Sequence, residues 1–221
     1  MSPGVPSVLP DAALELWRFT ATEPATVHIP PDGCRDLIVL VPRTGAPSCL
    51  VSSLAETTET HAFAPGDRAV GLRLRPGAQF DERALMAPLR DGERHDDTDL
   101  LAAVGAAARL DSRVDEALGC LREAPSLQFA QARLGVSTRS LERLLSLRTQ
   151  HGPTWWRSLA RARRCARALT GTTPLAALAA DHGYADQAHM TRDLRRWFGA
   201  TPTRLRAMPA LIATLAAPAY A

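Results

Sequence analysis

Between residues 17 and 77, apolar residues come in short runs separated by turn formers. Thr26-Val27-His28-Ile29 leads into Pro30-Pro31-Asp32-Gly33, and this into Asp36-Leu37-Ile38-Val39-Leu40-Val41. Short apolar runs bounded by Pro, Gly and Asp predict strands. Residues 49–51 add another, and residues 70–74 a further one between Pro65-Gly66-Asp67 and Pro76-Gly77. From Asp81 onward the period lengthens: Leu100, Leu101 and Val104, then Val114, Leu118 and Leu121, recur at spacings of three and four, which predicts connecting helices. Pro125-Ser126 supplies a stop and a new N-cap, so a boundary is expected near residue 125.

Beyond that point the pattern repeats. Residues 127–147 and 175–197 share one layout: an apolar helix, a glycine turn, and a second helix rich in polar residues and arginine. The two turn glycines, Gly135 and Gly183, lie 48 positions apart. In the first copy Leu127, Ala130 and Leu134 form one face and Leu141, Leu144 and Leu145 the next, with Ser137 as the N-cap between them. In the second, Leu175, Leu178 and Ala179 precede Gly183-Tyr184, and Met190, Leu194, Trp197 and Phe198 follow, with Asp186 capping. A small residue four before the glycine lets the helices approach closely; Ala179 provides it, whereas Gln131 stands at that place in the first copy, predicting looser packing or an outward glutamine. Residues 157–169 read as a linker helix opened by Pro153.

Composition sharpens this division. All 26 basic residues are arginine, and residues 126–221 hold 14 of them against four acids, a balance of +10; the first 125 residues carry 12 against 19, or −7. Such asymmetry points to a nucleic-acid-binding half. Hydrophobic content of 46% supports a real core. Met1-Ser2-Pro3-Gly4 does not open a secretory leader, and no apolar run reaches the roughly 18 residues of a membrane span, so a cytoplasmic location is expected. Cys34, Cys49, Cys120 and Cys165 are scattered and form no C-x-x-C pair, and His28 and His61 alone lie in the strand region, so neither a metal site nor a cofactor is expected.

The repeated unit carries a family resemblance. Gly-Val-Ser-Thr-Arg-Ser-Leu-Glu-Arg-Leu-Leu from Gly135, Gly-Pro-Thr and Trp before a basic helix, and the stretch from Leu175 through Asp-His-Gly-Tyr-Ala-Asp-Gln-Ala-His-Met to Phe-Gly-Ala-Thr-Pro resemble the DNA-binding domain of AraC-family transcription regulators over residues 120–207. The resemblance implies a DNA-binding regulator, not an enzyme, whose two second helices enter successive major grooves of double-stranded DNA. The base-facing positions would be Thr138, Arg139, Glu142 and Arg143 in the first helix and Gln187, Ala188, His189 and Arg192 in the second. Arg143 and Arg192 suit guanine, Gln187 adenine, Glu142 cytosine, and Ala188 a thymine methyl. Arg157, Arg161, Arg195 and Arg196 are expected at phosphates or in solvent, since most protein–DNA contacts are to the backbone. Trp155, Trp156, Trp197, Phe198 and His182 read as structural.

The first half resembles the effector-sensing β domain of such regulators, through Trp17-Arg18-Phe19, His-Ile-Pro-Pro-Asp-Gly-Cys-Arg-Asp from His28, and Gly-Leu-Arg-Leu-Arg-Pro-Gly-Ala from Gly71. A small-molecule pocket lined by Trp17, Cys34, Arg35 and Arg73 is the corresponding expectation; the rival is a thiol sensor in which Arg35 activates Cys34 for oxidation or alkylation. The expected fold class is α+β: a β-rich domain at 1–80, a helical connector at 81–125, an all-α double helix-turn-helix domain at 126–207 with its linker helix, and an apolar tail at 208–221. The tail is read as a terminal helix packed on the body, with a dimer contact as the alternative. Further expected partners are RNA polymerase and an unidentified effector, with the protein a monomer or a homodimer.

Overall fold

The computed structural model describes residues 8–89 and 95–221; the reading of the first four residues falls outside them. The chain divides into two compact units. The first is built on a four-stranded antiparallel sheet in the order β1-β6-β3-β4, from β1 (Ala13–Thr20), β3 (Asp36–Val41), β4 (Ser48–Val51) and β6 (Arg68–Leu74). Alternation along β3 buries Leu37 and Val39, and β6 adds Leu72 and Leu74. Against this face pack Leu85 of α1 (Glu82–Met86) and Leu100, Leu101 and Val104 of α2 (Asp97–Ala107). Asp81 caps α1, and Asp96 with Asp99 forms a capping box at the start of α2. Strands β2 (Ala25–Ile29) and β5 (Glu59–Phe63) pair with each other, as do β7 (Gln79–Phe80) and β8 (Ala108–Arg109).

The second unit is helical and comprises residues 112–221 with residues 28–33 and 54–60. Its helices are α3 (Ser112–Glu123), α4 (Leu127–Leu134), α5 (Thr138–Thr149), α6 (Pro153–Arg167), α7 (Leu175–Asp181), α8 (Gln187–Phe198), α9 (Pro202–Arg206) and α10 (Pro209–Thr214). The boundary expected near residue 125 thus falls earlier, at Ser112, because Val114, Leu118 and Leu121 of α3 are buried in the helical core and do not serve as a connector. That core is centred on α6, whose Trp156, Leu159, Ala160, Ala162, Cys165 and Ala166 are all excluded from solvent.

The tail is part of the same core. Leu211, Ile212, Leu215 and Tyr220 are buried, and the Tyr220 hydroxyl donates to the Leu118 carbonyl at 3.0 Å. Arg163, fully buried on α6, donates to the carbonyls of Pro31 at 2.9 Å and Leu215 at 3.1 Å. An arginine without water is tolerable only when its donors are met in this way. The tail is thus a terminal element packed on the body. Among the described residues no helix is long and apolar enough to cross a membrane.

Candidate nucleic-acid interface

The two repeats close their turns by the same hydrogen bonds. Gly135, at φ 65°, follows α4, and the next amide, of Val136, donates to the Gln131 carbonyl at 3.2 Å. Gly183, at φ 70°, follows α7, and the Tyr184 amide donates to the Ala179 carbonyl at 2.9 Å. Both glycines occupy the left-handed region that other residues enter at a cost. Ser137 caps α5 through the Ser140 amide at 3.2 Å, and Asp186 caps α8 through the His189 amide at 2.6 Å. The matching bonds place Gln131 and Ala179 at equivalent positions; Ala179 is 1% exposed, whereas Gln131 is half-buried.

The outer faces of α5 and α8 differ sharply from their buried stripes. Thr138, Arg139, Glu142 and Arg143 are exposed on α5, together with Arg148; Gln187, Ala188 and Arg192 are exposed on α8, with Arg195 and Arg196. These faces hold six arginines against the single exposed acid Glu142. Much of the rest of the arginine excess is turned inward or partly covered, as with Arg163. The positive surface of this unit therefore concentrates on the two second helices of the repeats.

Several expected contact residues are occupied within the protein. The Glu142 carboxylate accepts from Ser146 Oγ at 3.2 Å and lies against Gly152, where any side chain would collide with it; this brings the acid beside the N-terminal end of α6, an electrostatically favourable place. His189 is half-buried, its Nδ1 accepting from the Ala185 amide at 3.4 Å and its ring edge-on to Tyr184. Arg157 holds the carbonyls of Ala124 and Pro125, and burial, followed by the nearby Arg161, lowers its pKa. Arg161 pairs with the buried Asp193 at 2.9 Å and lies over the Tyr184 ring at 4.2 Å. Arg157 and Arg161 are thus engaged in packing, whereas Arg195 and Arg196 remain exposed.

The three tryptophans of the helical unit are structural. Trp156 and Trp197 are fully buried and Phe198 nearly so. Trp155 stacks on His151 at 4.0 Å and meets Trp156 and Trp197 edge-on. Burial is the main reason that the pKa values of His151 and His182 fall below their ordinary value. Sequence reasoning missed Ser158, Tyr184 and Asp193, which meet around one carboxylate. The available signal was Asp193 itself, an acid on the stripe of Met190, Leu194 and Trp197. Burial, then the neighbouring Asp193, drives the Tyr184 pKa far upward, so its hydroxyl keeps its proton.

In the first unit two of the four expected pocket residues meet at one carboxylate. Trp17 Nε1 and Arg73 Nε both donate to Asp36 Oδ1, at 2.7 and 3.2 Å. Arg35 instead donates to the Ser52 carbonyl and lies over Phe80 at 4.5 Å, and Cys34 is only 3% exposed.

Comparison with known proteins agrees with the repeated unit. Residues 130–208 match the family model described as a helix-turn-helix domain. No curated protein matches. An AraC-type transcriptional regulator from Chromobacterium violaceum is 24% identical, with a TM-score of 0.41 over 44% of this chain and 91% of its own. The DNA-binding domain of AdpA, solved with a target DNA, is 25% identical, with a TM-score of 0.36 over 44% of this chain and 88% of its own. ToxT from Vibrio cholerae spans 88% of this chain and 97% of its own at 8% identity, with a TM-score of 0.43. The paired turns, the linker helix and the family match over residues 130–208 identify this part of the chain as a helix-turn-helix domain.

Proposed function

We propose that α5 and α8 are the reading helices and that they enter two successive major grooves on one face of the duplex. The observation that carries this reading is the concentration of exposed arginine on those two helices, both held by the single helix α6. Arg139 and Arg143 on α5 and Gln187 and Arg192 on α8 are free to reach base edges, with Arg143 and Arg192 suited to bidentate pairing with guanine. Thr138 and Ala188 add contacts at the helix starts. Arg195 and Arg196 are suited to phosphates. Glu142 and His189 are better suited to fixing their own helices, and Arg157 and Arg161 to holding α6 in place.

The β-rich unit is proposed as the regulatory part, responding to a small-molecule effector. Its separate core and the convergence of Trp17 of β1 and Arg73 of β6 on Asp36 of β3 support a ligand site across these three strands. The burial of Cys34 removes the exposure that a thiol sensor requires, so the redox reading is not favoured.

The test is a set of single variants measured on an operator selected from random DNA. Arg143→Ala and Arg192→Ala are expected to cost about 1–3 kcal/mol each and to relax preference at one base pair. Arg196→Ala is expected to weaken binding on every sequence and to lower the salt slope by about one. Equal losses on all sequences for all three variants would overturn the assignment of reading positions.

A further inference from the structure

Asp193 sits on the buried stripe of α8, and its carboxylate gathers donors from two other places in the chain. It accepts from Ser158 Oγ at 3.1 Å and Arg161 Nη2 at 2.9 Å, both on α6, and from the Tyr184 hydroxyl at 3.1 Å, in the turn before α8. Ser158 Oγ in turn accepts from Trp197 Nε1 at 3.2 Å. At the other recognition helix, Trp156 Nε1 of α6 donates to Thr149 Oγ1, on the last residue of α5, at 2.7 Å. Helix α6 is therefore joined to both reading helices by directional bonds within little more than one of its turns.

Directional bonds restrict sliding and rotation in a way that apolar packing does not, because a core of the right volume tolerates rearrangement. Moving one reading helix by one base pair along DNA requires a shift of about 3.4 Å and a rotation of roughly 35°. A hydrogen bond is lost well before a displacement of that size.

We propose that Asp193 is a positioning residue: by fixing α8 on α6 it sets the distance between the two DNA half-boxes that the protein accepts. The proposal rests on the two-groove reading above. Asp193 need not touch DNA. Its three donors determine where Gln187 and Arg192, exposed on the same helix, are presented.

The experiment is selection of full-length protein on a pool of duplexes with a random central segment, comparing the unaltered protein with two variants. Asp193→Asn removes the charge that holds Arg161. The double variant Arg161→Met with Asp193→Leu replaces the pair by apolar groups, a change that often preserves stability. Circular dichroism and thermal melting establish that each is folded, and the double variant decides the matter if Asp193→Asn does not fold.

The expected result is one dominant spacing for the unaltered protein and, for the variants, a spread of at least one base pair to either side with the bases inside each half-box unchanged. Affinity for the original optimum should fall roughly tenfold. A folded double variant that keeps the single spacing, or that changes base preference instead of spacing, overturns the role of Asp193. Selection of a single undivided box by the unaltered protein overturns the two-groove reading and this proposal with it.

Discussion

The two helix-turn-helix repeats share turns, caps and glycine geometry but differ in how their second helices are held. In the second repeat the tight crossing is filled by Ala179, and the acid Asp193 binds three donors beneath α8. In the first, the equivalent of Ala179 is the half-buried Gln131, and α5 ends at Gln150 in the left-handed region with φ 66°. Phe129 and Leu147 in the first repeat are 50% and 76% exposed. One local motif thus supports two degrees of constraint, the difference arising from contacts made outside the turn.

The largest effects should come where both repeats depend on the same aromatic packing. Trp156→Ala and Trp197→Ala are each expected to cost about 3–5 kcal/mol in denaturant unfolding, since each leaves a large cavity in the core around α6. Comparable losses would show that the two repeats form one cooperative unit; a loss confined to one variant would separate them.

Exchanging the residues at the helix crossings tests the asymmetry directly. Ala179→Gln should cost about 1–3 kcal/mol by overpacking a closed site, whereas Gln131→Ala should stay within about 0.5 kcal/mol. Equal effects at the two positions would remove the distinction drawn between the crossings. At the end of α5, Gln150→Gly should stabilise the protein by about 0.5–1 kcal/mol, because glycine relieves the left-handed conformation at a smaller entropic cost.

The smallest expected effect depends on pH. His151 and His182 have folded-state pKa values lowered by burial, so the unfolded chain takes up protons first as the solution is acidified. Stability present above about pH 6.5 should be lost progressively below it, and His151→Gln should reduce the fall in melting temperature between about pH 7.5 and about pH 5.5. An unchanged pH dependence in that variant would assign the effect elsewhere.

What could be read in the sequence was local. The caps Ser126, Ser137 and Asp186, the glycine turns, and strands β2, β3, β4 and β6 follow from neighbours within a few residues, and each is present. Strand β5 was missed because Glu-Thr-His-Ala-Phe lacks an apolar alternation, its residues being mostly exposed. Pairs distant in sequence were harder to see. Arg161 with Asp193, and Arg163 with Pro31, join groups that composition marks as surface residues, and only the fold shows that their charges and donors are satisfied internally. The contact of Glu142 with Gly152 has the same origin: the two become neighbours only when α6 packs against α5.

The central claim, that both reading helices engage DNA together, is tested most directly by methylation interference on the selected operator. The account predicts two patches of major-groove interference on one face of the duplex, with centres about 10 base pairs apart, both produced by a single bound chain. A single patch, or two patches on opposite faces, would contradict it.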